Sequence, residues 1–232
     1  EGRPRVRRRL VPGSQASELE AVLRRPLGLG EPVRLDVTEL PWPIEHAHVL
    51  LCLGLDYKHG GFMDRALETF QEVVRLDPRN RYAFVNLQKL YEDQRQWGEA
   101  AAVREKLAAI DEHEREANNQ ILGFLRNEIG GTLTQAGDDG GAARAFEAAI
   151  EIDARTAPAY LSLGDMRERL GQAASAVDAW EKLVQTLPDR AYLALDRLER
   201  AYRRAGTPHR FSELCAHLID QNPQDWRTRL AL

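Results

Sequence analysis

The sequence predicts an all-α chain built as a stack of helical hairpins. Three observations carry that expectation: a period of about 34 residues from Ala47 onward, apolar positions at helical spacing within each period, and a small-residue slot that recurs with it. The chain has 232 residues, 43% of them hydrophobic and 29% charged. A chain of this size buries a sizeable core without a metal or a disulfide. Its net charge of −4 is too mild for a general nucleic-acid binder.

The period is explicit in the residues. Tyr57 recurs as Tyr91 and Ala66 as Ala100; Gly130, Ala142 and Phe146 recur as Gly164, Ala176 and Trp180. After a one-residue slip at Ala191 the pattern resumes with Tyr202, Gly206, Phe211, Cys215, Leu218 and Pro223. Each unit holds two apolar stretches joined by a polar turn with glycine, such as Gly60-Gly61 or Gly171-Gln172. Glycine paired with alanine, as Gly54 with Ala66 or Gly164 with Ala176, is expected to let the two helices approach closely. Proline or an acidic residue closes nearly every unit, as at Asp77-Pro78, Asp153-Ala154 and Asn222-Pro223. A single hairpin of this length cannot bury its own apolar face, so the units must stack.

The register places repeats at 47–80, 81–114, 123–156, 157–190 and 192–225. Residues 115–122 are extra and are expected to lengthen the helix entering the third repeat. Trp226 to Leu232 reads as the opening of a sixth. The array thus occupies 47–232, and residues 1–46 form an irregular segment rich in proline and arginine. That segment holds six of the eleven prolines and, near its start, Arg3, Arg5, Arg7, Arg8 and Arg9. Ser17-Glu18-Leu19-Glu20 resembles a capping box, which predicts a short helix running to Arg25 before Pro26. Val33 to Val37 alternates as a strand does, and Pro41-Trp42-Pro43 is expected to be extended. The chain begins at Glu1, so a fragment is expected.

The motifs that carry chemistry are missing. Cys52 and Cys215 belong to no CxxC pair, and both are expected as small buried hydrophobes on helices. The run His113-Glu114-Arg115-Glu116-Ala117 lacks the second histidine of a zinc protease helix, and Gly28-Leu29-Gly30 lacks the third glycine of a dinucleotide loop. Asp138-Asp139 has no glutamate where a calcium loop needs one. The longest apolar run, Val49 to Leu53, is far short of the ~20 residues a membrane helix needs. No catalytic residue, metal or cofactor is therefore expected.

The spacing of Leu53-Gly54, Tyr57, Ala66, Phe70 and Pro78, with their later counterparts, resembles the tetratricopeptide repeat. The resemblance implies a right-handed superhelical solenoid whose first helices line the concave face. Leu53 to Tyr57, Gly61 to Ala66, Leu87 to Val103, Pro158 to Trp180 and Tyr202 to Pro223 further resemble the lipopolysaccharide assembly protein B family, over roughly 47–232. That likeness implies a bacterial, non-catalytic adaptor that regulates lipid A synthesis. Its partners would be a membrane metalloprotease and a lipid A pathway enzyme. It would act in the cytoplasm, at the inner face of the inner membrane, through an anchor outside this sequence. The family's membrane helix and its zinc module with paired cysteines have no counterpart here. Two other classes stay open: a repeat module of a larger enzyme such as a glycosyltransferase, and a general peptide-binding co-chaperone.

Candidate partner-binding residues lie on the first helices. Tyr82, Asn86 and Lys89 form one stripe, Phe124, Asn127 and Glu128 a second, and Arg197, Arg200 and Arg204 a third. From Asp189 to Arg210 six arginines face three acids, so the third stripe is expected to take an acidic partner. Glu105 to Glu116 leans the other way, with five acids against two bases.

Overall fold

The structure is a computed structural model that describes residues 17–21, 33–37, 43–110, 112–224 and 226–231. The chain divides into two compact units, Glu1–Gln94 and Arg95–Leu232.

The first unit opens with strands β1 (Ser17–Ala21) and β2 (Val33–Val37), paired antiparallel with Ser17 opposite Val37 and Ala21 opposite Val33. The strand expected at Val33 is present, but the helix expected from Ser17 is not. A helix of about nine residues is marginal because nucleation is costly, whereas strand pairing satisfies the backbone groups of Ser17–Ala21 at once. The arginine run, Pro41 and Trp42 lie outside the described residues. Three helices follow: α1 (Pro43–His59), α2 (Met63–Leu76) and α3 (Arg81–Asp93). Pro43 is the first residue of α1 rather than extended. Its missing N–H costs nothing in the first helical turn, where no intrahelical partner exists.

The second unit is helical throughout. It holds α4 (Trp97–Ile110), α5 (Arg115–Gln135), α6 (Asp139–Ile152), α7 (Ala157–Arg169), α8 (Ala173–Thr186), α9 (Leu195–Arg204), α10 (His209–Gln221) and α11 (Trp226–Ala231). Short 3-10 turns at Glu112–Glu114 and Pro188–Leu193 precede α5 and α9. Consecutive helices pack on one another, α5 on α6, α6 on α7 and α7 on α8. The extra residues 115–122 extend α5 to 21 residues, as the sequence predicts. The core of this unit gathers Tyr160, Trp180, Leu183, Leu198 and Cys215, all essentially buried.

The crossing inside each hairpin differs from the expected glycine–alanine contact. A Cβ placed on Gly54 would lie 2.7 Å from the ring of Phe70. On Gly130 it would lie 2.5 Å from Phe146, and on Gly164 2.1 Å from Trp180. The glycine is a seat for the aromatic ring one turn beyond the alanine. Ala66, Ala142 and Ala176 are buried beside it. The ring lies where a Cβ would stand, so each of these three hairpins buries a large apolar side chain worth roughly 1.5–3 kcal/mol.

Turns within hairpins use a left-handed residue. Gly61, Gly137, Gly171 and Gly206 have φ of 79°, 80°, 75° and 73°. The chain reverses there through paired bonds such as Gly171 N–H to the Glu168 carbonyl and Gln172 N–H to the Arg167 carbonyl, at 3.0 and 2.8 Å. Between α3 and α4 the same slot is filled by Arg95, at φ 56°. Links between hairpins use a different device. The Asp77 carboxylate accepts from Arg79 N–H, Asp153 from Arg155 N–H and the Asn222 side chain from Gln224 N–H, at 3.2, 3.1 and 3.2 Å. Leu187 occupies that slot after α8 and cannot accept. There the chain runs into the Pro188–Leu193 turn and α9 is left with only 10 residues, which accounts for the slip at Ala191.

At the glycine seat and at the left-handed turn alike a Cβ is unfavourable, so adding one and removing one have opposite effects. Gly164→Ala should lower stability by about 1–3 kcal/mol through overpacking against Trp180. Arg95→Gly should raise it by about 1 kcal/mol, because the left-handed conformation strains a residue that carries a Cβ. Chemical denaturation of the two variants checks the signs; a neutral Gly164→Ala would mean that Trp180 does not depend on the glycine seat.

Candidate protein-interaction faces

The sequence-predicted residues fall into three settings. Tyr82, at the start of α3, is 76% exposed, although the opposite face of that helix is buried through Ala83, Phe84, Leu87 and Leu90. Asn86 lies one turn on and is partly buried. Its amide donates to the Tyr82 carbonyl at 2.9 Å, and its side-chain oxygen accepts from the Lys58 ammonium of α1 at 3.0 Å. Lys89 is exposed on the same face. Lys58 was not among the sequence candidates, since nothing in its local spacing sets it apart. Its contact brings the first helices of consecutive repeats together through polar side chains.

On α5, Phe124 is 48% exposed and meets Trp97 of α4 edge-on, with ring centroids 6.2 Å apart at 88°. The Asn127 amide donates to Glu128 at 3.3 Å, while its carbonyl oxygen is buried and accepts from nothing among the described residues. Glu128 has no cationic partner there. The adjacent Arg126 is bound to Glu105 at 2.6 Å. Tyr82 and Phe124 occupy one slot of the repeat, once the insertion before α5 is allowed for.

The arginine stripe of α9 is not the free basic surface that the local count implied. Arg197 forks onto Asp165 of α7, its Nε and Nη2 at 2.7 and 2.9 Å from the two carboxylate oxygens. That bond is the main reason its pKa lies above the ordinary arginine range; burial works against it. Arg204 pairs with Glu168 of α7, and Arg203 with Glu199 at 2.7 Å. Arg200 alone of the three predicted residues has no acid among the described residues, and its guanidinium donates to the Asp196 carbonyl at 3.1 Å. The neutralising acids sit one repeat back on the preceding first helix, so a count over adjacent sequence misses them. The repeat length was the usable signal, since Asp165 lies 32 residues before Arg197.

Further along, Glu181 of α8 accepts from the Tyr202 hydroxyl and from Arg210 at 2.9 Å. Arg210 also lies over the Tyr202 ring, 4.9 Å from its centroid. Burial, and then the Glu181 bond, push the Tyr202 hydroxyl well above its usual range. This trio borders a groove of about 440 Å³ between α8, α9 and α10, floored by Ala173, Val177 and Ala201. Cys215 is buried as expected, but Cys52 is exposed. Cys52 lies on the side of α1 turned away from α2, where Val49 is also exposed. Among the described residues no cluster of His, Cys, Asp or Glu could hold a metal ion. None of the described helices is long and apolar enough to cross a membrane.

Residues 83–117 match the family model of the tetratricopeptide repeat. That stretch carries a tetratricopeptide repeat. Over 183 residues it is 25% identical to the probable UDP-N-acetylglucosamine–peptide N-acetylglucosaminyltransferase SPINDLY of Hordeum vulgare, covering 79% of this chain and 19% of that protein. Similar solved structures include MamA, at 22% identity, TM-score 0.47, and 81% and 98% coverage of the two chains. Another is YrrB, described as a tetratricopeptide repeat protein with an unusual peptide-binding site. It shows 16% identity, TM-score 0.42, and 78% and 89% coverage.

Two measurements check these assignments. Arg197→Ala should lower stability by about 1 kcal/mol and Arg200→Ala by almost nothing, because only the first breaks a fork held to a neighbouring helix. Equal effects would mean that the fork does not form. Burial, with the Glu199 charge adding to it, pushes the Cys215 thiol up to about 11. A raised thiol pKa favours the folded state while the thiol is protonated, so this contribution is lost as pH climbs through the thiol range toward 11. At pH near 8 a thiol reagent should therefore titrate one cysteine, Cys52, in the native chain and two after unfolding.

Proposed function

We propose that the chain is a non-catalytic protein-interaction scaffold. The observation that carries this reading is the exposure of Tyr82 and Phe124, aromatic side chains in one slot of two consecutive repeats. Large aromatics that a fold leaves outside, at a position set by the repeat, suit partner anchors, because they bury much area at little rotamer cost. The tetratricopeptide repeat agrees with this reading. So does the Lys58–Asn86 bond, which holds an amide and an ammonium ready on the face next to Tyr82. We assign the adaptor to the lipopolysaccharide-regulator kind, in the bacterial cytoplasm next to the inner membrane. The support is the likeness of residues 47–232 to that family. Its partners would then be a membrane metalloprotease and a lipid A pathway enzyme.

A second reading takes the array as the repeat part of a larger glycosyltransferase. It is favoured by the likeness to the barley relative, of which this chain spans only 19%. The two readings separate on the rest of the gene: paired cysteines downstream support the first, a long α/β pattern the second.

Binding itself is tested with peptides selected from a random library displayed on phage, measured by calorimetry against purified protein. Tyr82→Ala and Phe124→Ala should each weaken binding of the peptides that contact them by about 1–2 kcal/mol, with an unchanged melting temperature for Tyr82→Ala and a slightly lower one for Phe124→Ala, which loses the Trp97 contact. Selected peptides whose affinity survives both substitutions would place docking on another surface.

A further inference from the structure

The α5 face differs from the other first-helix faces in what it leaves unmatched. Phe124, Asn127, Glu128 and Gly131 follow one another at i, i+3, i+4 and i+7, a single stripe. Phe124 offers a half-exposed ring with Trp97 set edge-on against it. Glu128 is a carboxylate without a counter-cation among the described residues, and the Asn127 carbonyl oxygen is a buried acceptor without a donor. The exposed ring and the Glu128 carboxylate both call for a positive charge, the first through its negative quadrupole and the second through its own charge.

Gly131 adds an independent observation. Its neighbour Gly130 is explained by the Phe146 ring, but a Cβ on Gly131 would meet nothing within 4 Å. Glycine in a helix interior costs roughly 1 kcal/mol relative to alanine, and packing within this chain gives no return for that cost. A glycine with open space in front is what a helix presents when another backbone comes close to it.

We propose that the Phe124–Asn127–Glu128–Gly131 face of α5 docks an extended protein segment bearing an arginine or lysine. The cation lies on the Phe124 ring with Glu128 as its counter-charge. Gly131 lets the segment's backbone close onto the helix. The inference rests on the scaffold reading and names the partner chemistry of one of its faces.

The test uses a random 12-residue peptide library displayed on phage, panned against the purified full chain. Each enriched peptide is then measured by fluorescence anisotropy on wild type, Phe124→Ala, Phe124→Tyr, Glu128→Gln and Gly131→Ala. The expected result is enrichment of arginine or lysine. Affinity should fall about tenfold in Phe124→Ala and in Glu128→Gln, survive in Phe124→Tyr, and weaken between 0.1 and 1 M salt, where the screening length drops from about 10 Å to about 3 Å. Gly131→Ala separates a binding role from a structural one. It should raise the melting temperature and lower affinity together. Enriched peptides that are acidic or neutral yet depend on Phe124 would leave the scaffold reading standing and overturn the cationic assignment. Peptides that depend on Tyr82 and not on Phe124 would remove this face alone. No peptide enriched over a blank support would count against both.

Discussion

The structure depends on one contact: an aromatic ring seated on a glycine where the two helices of a hairpin cross. Phe70 on Gly54, Phe146 on Gly130 and Trp180 on Gly164 repeat it. The Trp180 case shows what the seat secures, because the indole N–H then reaches the Leu161 carbonyl at 3.4 Å across the crossing. Once the ring is seated, the alanine one turn earlier is forced inside, and the remaining apolar positions follow at helical spacing. The next hairpin then covers what this one leaves open, which is why Ile150 of α6 packs against both the core of α6 to α8 and the core that continues through α10.

The links between helices show how little sequence is needed to steer such a chain. Within hairpins a single left-handed residue sets the reversal; between them an Asp or Asn side chain binds the N–H two residues on. Where a residue departs from the rule, the geometry shows the difference. Arg95 takes the left-handed slot at φ 56°, a backbone strain of a size that a folded chain tolerates. Leu187 takes the aspartate slot and does not keep the link, because no aliphatic side chain can accept a hydrogen bond. The outcome is the 3-10 turn at Pro188–Leu193 and the shortened α9.

Much of this was legible in the residues. The period, the glycine turns, the lengthened α5 and the helix at Trp226 all follow from spacing. What spacing could not show was which atoms meet. Glycine and alanine were read as partners because they share the crossing, but the ring one turn away has the reach to fill it. The helix expected from Ser17 failed for a related reason, since capping residues help only when a face exists to pack. Cys52 was read as buried from its helical position, yet α1 packs on α2 from one side only. On α9 the charges were counted along the sequence, while Asp165 and Glu168 act across it.

The repeat separates fold from recognition by slot. Residues that point at the partner helix are constrained by volume: a glycine, an alanine, a ring. Residues that reach the first helix of the repeat before are constrained by pairing. Asn86 with Lys58 and Arg197 with Asp165 both serve that end, and they occupy the same slot of their repeats. Arg197 was thus legible as a charged surface residue and misread as a free one, because the slot, not the residue type, decides its work. Residues in the slot of Tyr82 and Phe124 answer to these constraints least: Tyr82 is 76% exposed, and Phe124, although it meets Trp97 edge-on, is still 48% exposed. Gly131 stands on the same open side with no internal contact to require it. When a position is released from both volume and pairing, the side chain it carries is informative about what lies outside the chain. On α5 those residues are a ring, a carboxylate and a bare stretch of backbone.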